Sequence, residues 1–416
     1  MMNSNAAKPL LPQVENENRS FFRAALDMIS NKYMNIIRKL SALMLISALA
    51  ACQSVIPKGG QNPETTAPVA KRTTIVSNDA ERHRVALLLP ITGPDGDVGQ
   101  AIANATALAL QDTNDKSLRM TTYDTAGGAK QAAERAIADG NRLIIGPLRG
   151  DNVVEVASIS KPANVPIITF SNDIGVASHD IFLLGHLPTQ SVDRILRFAQ
   201  NRGAKRFATI APANLYGQRS TSAFLRTVRD IGAVAVTSQS YNEGTNELDA
   251  AVKKIASSGQ IDAILIAANG AEAVKIADAL RANGVKNAKF LGTDLWNIST
   301  RMASTKSLYG AWFATVSDGV FNDYAAGYKA RYGTTPLRLT SLGYDSVLLT
   351  VRIAQDWPIY SEFPVDRLIE QGGFIGVDGA FRFMPDGLSE RALEVQEVQN
   401  GQYVTIEAAP STFNQR

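Results

Sequence analysis

The 416-residue chain is long enough for two lobes once a leader is set aside, and its 45% apolar and 19% charged content is that of an ordinary globular protein. A formal net charge of +3, with no basic block interleaved with aromatics, argues against a nucleic-acid partner. A single cysteine excludes a disulfide framework.

That cysteine, Cys52, follows Met34-Asn35-Ile36-Ile37-Arg38-Lys39 and a small-residue apolar run from Leu40 to Ala51. A positive n-region, a short apolar h-region and small residues at its end make a secretory signal. The run is shorter than the ~20 residues needed to span a bilayer. Leu49-Ala50-Ala51-Cys52 resembles the bacterial lipobox, which implies acylation of Cys52, and Gln53 after it resembles the outer-membrane sorting pattern. Residues 1–51 are therefore read as a signal region, 34–51 being the lipoprotein signal peptide. Translation is expected to start at Met34; the alternative is an unusually long n-region over residues 1–33. Residues 52–81, rich in Pro, Gly, Thr, Ala, Asn and Lys, read as a flexible tether.

The folded part opens with Val85-Ala86-Leu87-Leu88-Leu89, an unbroken apolar run bounded by Pro90 and Gly93. Such a run suits a strand buried on both faces of a parallel sheet. A glycine-rich loop to Gly99 follows, and then Val98, Ile102, Ala105, Leu108 and Ala109 recur at helical spacing. Strand, loop and helix repeat through residues 118–185 and again through 191–293. Residues 309–316 read as a strand, and 322–332 and 339–355 as helices. Residues 376–383 and 393–405 read as antiparallel strands, the second turning at Asn400-Gly401. The fold class expected is α/β, with two doubly wound parallel-sheet lobes joined by three hinge crossings.

An ordered set of motifs carries a family resemblance: VALLLPITGP from Val85, Tyr123-Asp124-Thr125, IIGPL from Ile144, VPIITFSND from Val165, FLLG from Phe182, APANLYG from Ala211, LGTDLW from Leu291, SLGYDS from Ser341 and FIGVDGAFRFMPDG from Phe374. Together these resemble the type I periplasmic binding-protein (Leu/Ile/Val-binding-protein) class, and within it the penicillin-binding protein activator (LpoA C-terminal-like) lipoproteins. The resemblance spans residues 83–410. It implies two lobes with a ligand cleft between them and crossings near Gly185, Gly310 and Gln355. Lobe 1 is then expected at about 82–187 and 311–355, and lobe 2 at about 188–310 and 356–410.

The class also implies where a ligand would sit. The loop after the third strand supplies donors to a ligand carboxylate, and here it reads Arg149, Gly150 and Asp151, without Ser or Thr. Arg149 is read either as a bidentate carboxylate clamp or as a sheet-edge residue paired with Asp151. Ser171 and Asn172, with Asp173, form the next cleft loop, Ser171 being equally a turn or cap residue. Tyr216 matches an aromatic that covers the ligand, or else packs at its helix start. Asp294 sits where the class places an acid for the ligand ammonium, or caps the next helix, and Trp296 follows it. Thr92 and Gly93 are expected to line the cleft, while Asp345 is expected to support a hinge or helix start.

An enzyme is not expected. None of His83, His179 and His186 stands in metal-ligand spacing, no G-x-S-x-G occurs, and the loop from Gly93 to Gly99 lacks a phosphate-binding lysine. No cofactor or metal is expected. The first reading is a lipid-anchored protein at the periplasmic face of the outer membrane, regulating a penicillin-binding protein. The second is the substrate-binding component of an amino-acid or amide ABC transporter, with an ABC permease as partner and a small amino-acid-like ligand. A ligand-binding signalling sensor is a third.

Overall fold

A computed structural model describes residues 81–298 and 300–413. The signal region, Cys52 and the tether up to residue 80 lie outside the described residues. Among the described residues no helix is long and apolar enough to cross a membrane.

The first lobe is built on five parallel strands, β1 (His83–Leu89), β2 (Leu118–Asp124), β3 (Leu143–Ile145), β4 (Ile167–Thr169) and β5 (Ile181–Leu183), in the order β2-β1-β3-β4-β5. Helices α1 (Gly96–Thr113), α2 (Ala129–Ala138) and α3 (Gly150–Ser160) connect them. The apolar run of β1 divides between two cores in alternation. Val85, Leu87 and Leu89 pack with Ile102 on one face, and Ala86 and Leu88 with Ala132, Ala133 and Ala136 on the other. That is period-two geometry in a strand covered on both sides. Full burial is worth roughly 1.5–3 kcal/mol for each large aliphatic side chain, so this strand anchors the lobe.

The second lobe runs through α4 (Pro188–Asn201), β6 (Arg206–Pro212), α5 (Leu215–Asp230), β7 (Val234–Tyr241), α6 (Glu247–Ala256), β8 (Ala263–Ile266), α7 (Gly270–Ala282), β9 (Lys289–Gly292), the short α8 (Thr300–Ala303) and β10 (Trp312–Thr315). Two further helices, α9 (Gly319–Tyr332) and α10 (Thr340–Ala354), return to the first lobe. There Tyr324 and Tyr328 of α9 pack with Ala105 and Leu108 of α1, and Leu342 and Leu349 of α10 pack in the core with Val85 and Leu87. A three-stranded antiparallel sheet follows, β11 (Phe374–Gly376), β12 (Gly379–Phe383) and β13 (Ser389–Arg391). The hairpin β14 (Glu394–Gln399) and β15 (Gln402–Glu407) then completes the second sheet in the order β15-β14-β10-β9-β8-β6-β7.

Both lobes therefore have the expected α/β architecture, but two of the expected crossings move. β10 pairs in parallel with β9 and antiparallel with β14, so residues 311–316 belong to lobe 2 and the second crossing lies at Ser317-Asp318, not near Gly310. After α10 the chain does not leave lobe 1 near Gln355. Trp357, Phe363, Phe374, Phe381 and Phe383 all enter the core that holds Val85 and Leu87, and the third crossing comes at Ala392-Leu393. Burying five aromatic side chains decides where this segment sits. The single strand expected over 376–383 is instead broken by a turn at Val377-Asp378, which turns the Asp378 side chain fully inward.

Candidate functional site

Between the lobes lies a cavity of about 600 Å3. Lobe 1 contributes Leu148 after β3 and Phe170 and Asn172 after β4; lobe 2 contributes Tyr216 at the start of α5 and Asp294 and Leu295 after β9. The second crossing adds Val316 and Asp318, and α9 and the segment before α10 add Phe321, Leu337 and Arg338. The cavity thus sits beyond the carboxyl ends of the parallel strands, as ligand sites in open α/β sheets do.

Three of the nine residues expected in the cleft line this cavity: Asn172, Tyr216 and Asp294. Burial first, and then the nearby Asp294 charge, push the Tyr216 phenol far above its usual range, so it remains a neutral hydroxyl. Its Oη lies 2.7 Å from Thr293 Oγ1. Asp294 Oδ1 accepts a hydrogen bond from Ser191 Oγ at 2.8 Å, which fixes the carboxylate toward the first turn of α4.

The other six residues are placed elsewhere. Thr92 donates its hydroxyl to Asp124 Oδ2 at 2.6 Å, while the Ile91 amide reaches Asp124 Oδ1. That hydroxyl, with the Ala126 amide, holds the Asp124 carboxyl down at about 2. Gly93 belongs to the same turn, and neither residue lines the cavity. Arg149, 58% exposed, faces Asp95 at 3.6 Å and Asp151 at 3.9 Å, the surface pairing that was its alternative reading. Gly150 begins α3 against the Asp173 side chain, which a Cβ would meet at 2.9 Å. Ser171 is buried and accepts the Asp173 amide at 3.1 Å, a turn role. Trp296 is fully buried in the lobe 2 core beside Phe313, so its ring serves packing. Asp345, also fully buried, accepts the Val377 amide at 2.6 Å and so fastens α10 to the turn before β12.

The cleft is also bridged. Arg219 of α5 in lobe 2 donates to Asp173 of lobe 1 and, at 3.4 Å, to the Asn172 carbonyl. Below it, a charged cluster ties the crossings together. Asp378 accepts from Arg338 Nε at 2.9 Å, pairs with His186 Nε2 at 3.0 Å and accepts from Ser341 Oγ. Arg338 also donates to Asp318 and to the Ser317 carbonyl, and Asn297 donates to Asp318 at 2.8 Å. Arg391, beside the third crossing, donates to the Leu184 carbonyl at 2.8 Å. Burial alone would raise the Asp378 carboxyl, but the His186 hydrogen bond and the Arg338 and Arg391 charges more than offset it and hold it low. Arg338 and His186, which sequence reasoning missed, therefore line the cavity while committed to the hinge. The signal for Arg338 was its place just ahead of the Ser341–Ser346 motif; His186 was weighed only as a metal ligand.

Residues 83–402 match the family model described as periplasmic binding protein. The chain belongs to the periplasmic binding protein family, with the type I fold. It is 22% identical over 348 residues to an uncharacterized protein of Rickettsia prowazekii, covering 80% of this chain and 91% of that one. A shorter match, 27% identity over 149 residues, is to the penicillin-binding protein activator LpoA of Photobacterium profundum; it takes in 35% of this chain and only 24% of the activator. The crystal structure of a putative branched-chain amino acid ABC transporter from Rhodospirillum rubrum superposes with a TM-score of 0.71 at 21% identity, covering 78% of this chain and 100% of that one. That likeness is one of fold. Membership of this family implies a periplasmic location and a ligand-binding scaffold.

Proposed function

We propose that this periplasmic binding protein is a non-catalytic, lipid-anchored regulator at the outer membrane that acts by contacting a penicillin-binding protein, a peptidoglycan synthase. The observation that carries the reading is that, among the described residues, the cavity lining offers an amino-acid carboxylate no uncommitted arginine or lysine. Arg338, the cation in the cavity wall, has its guanidinium committed to Asp318, Asp378 and the Ser317 carbonyl. Arg149, at the carboxylate loop, faces two acids at the surface. A buried ligand carboxylate without a charged or multiply hydrogen-bonded partner costs several kcal/mol, so α-amino acids are poor occupants. The partial likeness to LpoA supports a partner of this class. The cysteine at position 52 and Gln53 support the anchor.

A second reading, amino-acid or amide binding for an ABC permease, is favoured by the cavity itself, which presents Tyr216 and Asp294 together. One pair of measurements separates the two. The full chain is screened by thermal shift against amino acids, amides and peptidoglycan fragments, and is used in parallel to retain penicillin-binding proteins from a membrane extract. Retention of a synthase, with no amino-acid response, is the expected result. A concentration-dependent rise in Tm with an amino acid that is lost in Asp294→Ala overturns the regulator reading, since a ligand at 100 times its Kd adds about 2.7 kcal/mol to the native state.

A further inference from the structure

Arg219 reaches across the cleft from lobe 2, and both ends of its bridge are built to hold still. Its Nη2 donates to Asp173 Oδ1 and its Nη1, at 3.4 Å, to the Asn172 carbonyl. Asp173 is the fixed post. Its Oδ1 also accepts the Gly175 amide at 2.9 Å, and its own amide donates to Ser171 Oγ at 3.1 Å. The side chain lies so close over Gly150, the first residue of α3, that a Cβ there would meet it at 2.9 Å. The positive end of the α3 dipole therefore faces this carboxylate. The arm is anchored as firmly. Arg219 stands in the second turn of α5, whose start is capped by Asn214 Oδ1 accepting the Gly217 amide at 3.0 Å. A Cβ at Gly217 would lie 1.9 Å from the Pro212 carbonyl oxygen, so α5 starts hard against the end of β6. The two side chains are only 20% and 31% exposed, which spares the pair part of the solvent screening that weakens surface bridges.

We propose that Arg219 and Asp173 form a latch that sets the equilibrium between closed and open arrangements of the two lobes. The bridge joins the elements that wall the cavity: Asn172 precedes Asp173, and Tyr216 stands three residues before Arg219. Parting the lobes about the crossings separates the loop after β4 from the start of α5, so the cleft opens only when the bridge breaks. Gln190 also joins the lobes, through the Ser389 carbonyl and the Arg391 amide, but these bonds lie within a few residues of a crossing, where rotation moves them least. The cluster around Asp378 likewise stays with the crossings. The latch thus has the leverage that the hinge cluster lacks. It goes beyond the functional reading above and acts alike whether a ligand fills the cleft or a partner protein reads the arrangement of the lobes.

The test places spin labels at Val154→Cys on α3 and Leu225→Cys on α5, both exposed positions, in the full chain carrying Cys52→Ser. Distances are read by double electron–electron resonance on samples frozen from well below each variant's Tm. A predominantly short distance is expected with the native pair. Arg219→Glu sets two carboxylates face to face and is expected to raise the ratio of long to short distances about threefold or more, with Arg219→Gln moving it the same way by less. Asp173→Asn keeps an oxygen for the Gly175 amide. Combined with Arg219→Gln, it is expected to open the lobes no further than the larger of the two single changes, the mark of one shared interaction. Arg229→Glu, on the exposed face of the same helix where Arg229 faces its neighbour Asp230 at 3.5 Å, is expected to leave the distribution unchanged. A native distribution already dominated by the long distance, one unmoved by Arg219→Glu, an equal shift in Arg229→Glu, or additive effects in the double variant would each overturn the proposal.

Discussion

Replacing Asp378 by alanine is expected to cost about 3–5 kcal/mol of folding free energy, the usual consequence of deleting one partner of a buried ionic cluster. The side chain is fully buried and takes hydrogen bonds from three different segments, His186 at the first crossing, Arg338 ahead of α10 and Ser341 within it. Removing it takes one of two countercharges from Arg338 and the stronger of two from the buried Arg391. Arg338 would retain Asp318, so the greater penalty falls on Arg391, whose electrostatic partners are Asp378 and Asp345. The midpoint of urea unfolding, read at constant m-value, measures the loss. A cost below about 1 kcal/mol would show that the cluster does not bind the crossings together.

Asp345→Asn supplies the opposite sign and tests the same cluster by pH. Burial, and after it the Asp378 charge, push the Asp345 carboxyl well above the usual range. A carboxyl whose folded pKa exceeds its unfolded value contributes stability that is complete below the unfolded pKa, about 3.9, and is lost as pH rises through the folded one. Asparagine cannot ionise and keeps the oxygen that accepts the Val377 amide. The variant is therefore expected to match the wild type in acid and to gain on it as pH rises. Asp378 behaves the other way: held low, it contributes stability above the unfolded pKa that is lost on acidification.

The strands and helices were legible because each lobe repeats one pattern, a strand of three to eight residues, a turn and a helix, most of the strands being apolar runs. Strand pairing was not. Residues 312–315 read as a strand in either lobe, and only the neighbour, β9 on one side and β14 on the other, assigns it. Nor does linear order reveal that Trp357, Phe363 and Phe374 share a core with a strand some 270 positions earlier. For the cleft, motif position pointed to Asn172, Tyr216 and Asp294, which follow the carboxyl ends of β4, β6 and β9 and line the cavity. It failed at Thr92 and Ser171, because a hydroxyl beside a turn finds Asp124 or a backbone amide before it finds a ligand. Arg338 escaped notice because its role depends on Asp378, 40 residues away in sequence, and Arg219 because its partner Asp173 lies in the other lobe.

The Asp294-Leu295-Trp296 tripeptide offers the sharpest separation of cleft from core, and Trp296→Ala is expected to cost about 3–5 kcal/mol without altering what the cleft recognises. The indole is fully buried, 6.1 Å from the Phe313 ring, and packs so closely on Gly292 that a Cβ there would lie 2.1 Å from it. Alanine leaves a void among Phe290, Met302 and Phe313 that these neighbours cannot fill without moving the second sheet. Asp294, two residues earlier, lines the cavity half-exposed and accepts a hydrogen bond from Ser191. Asp294→Asn keeps that acceptor and is expected to change stability by no more than about 0.5 kcal/mol, as for a substitution away from core packing. The pair is read by unfolding in urea together with thermal-shift responses to a common ligand panel, taken well below the midpoint of each variant. If Trp296→Ala left stability within 1 kcal/mol of wild type and changed the panel, the ring would have to face the cleft, and the amino-acid reading would regain its aromatic wall. If stability falls while the panel stays the same, the tripeptide divides as its burial does: the acid belongs to the site and the indole to the sheet that holds it.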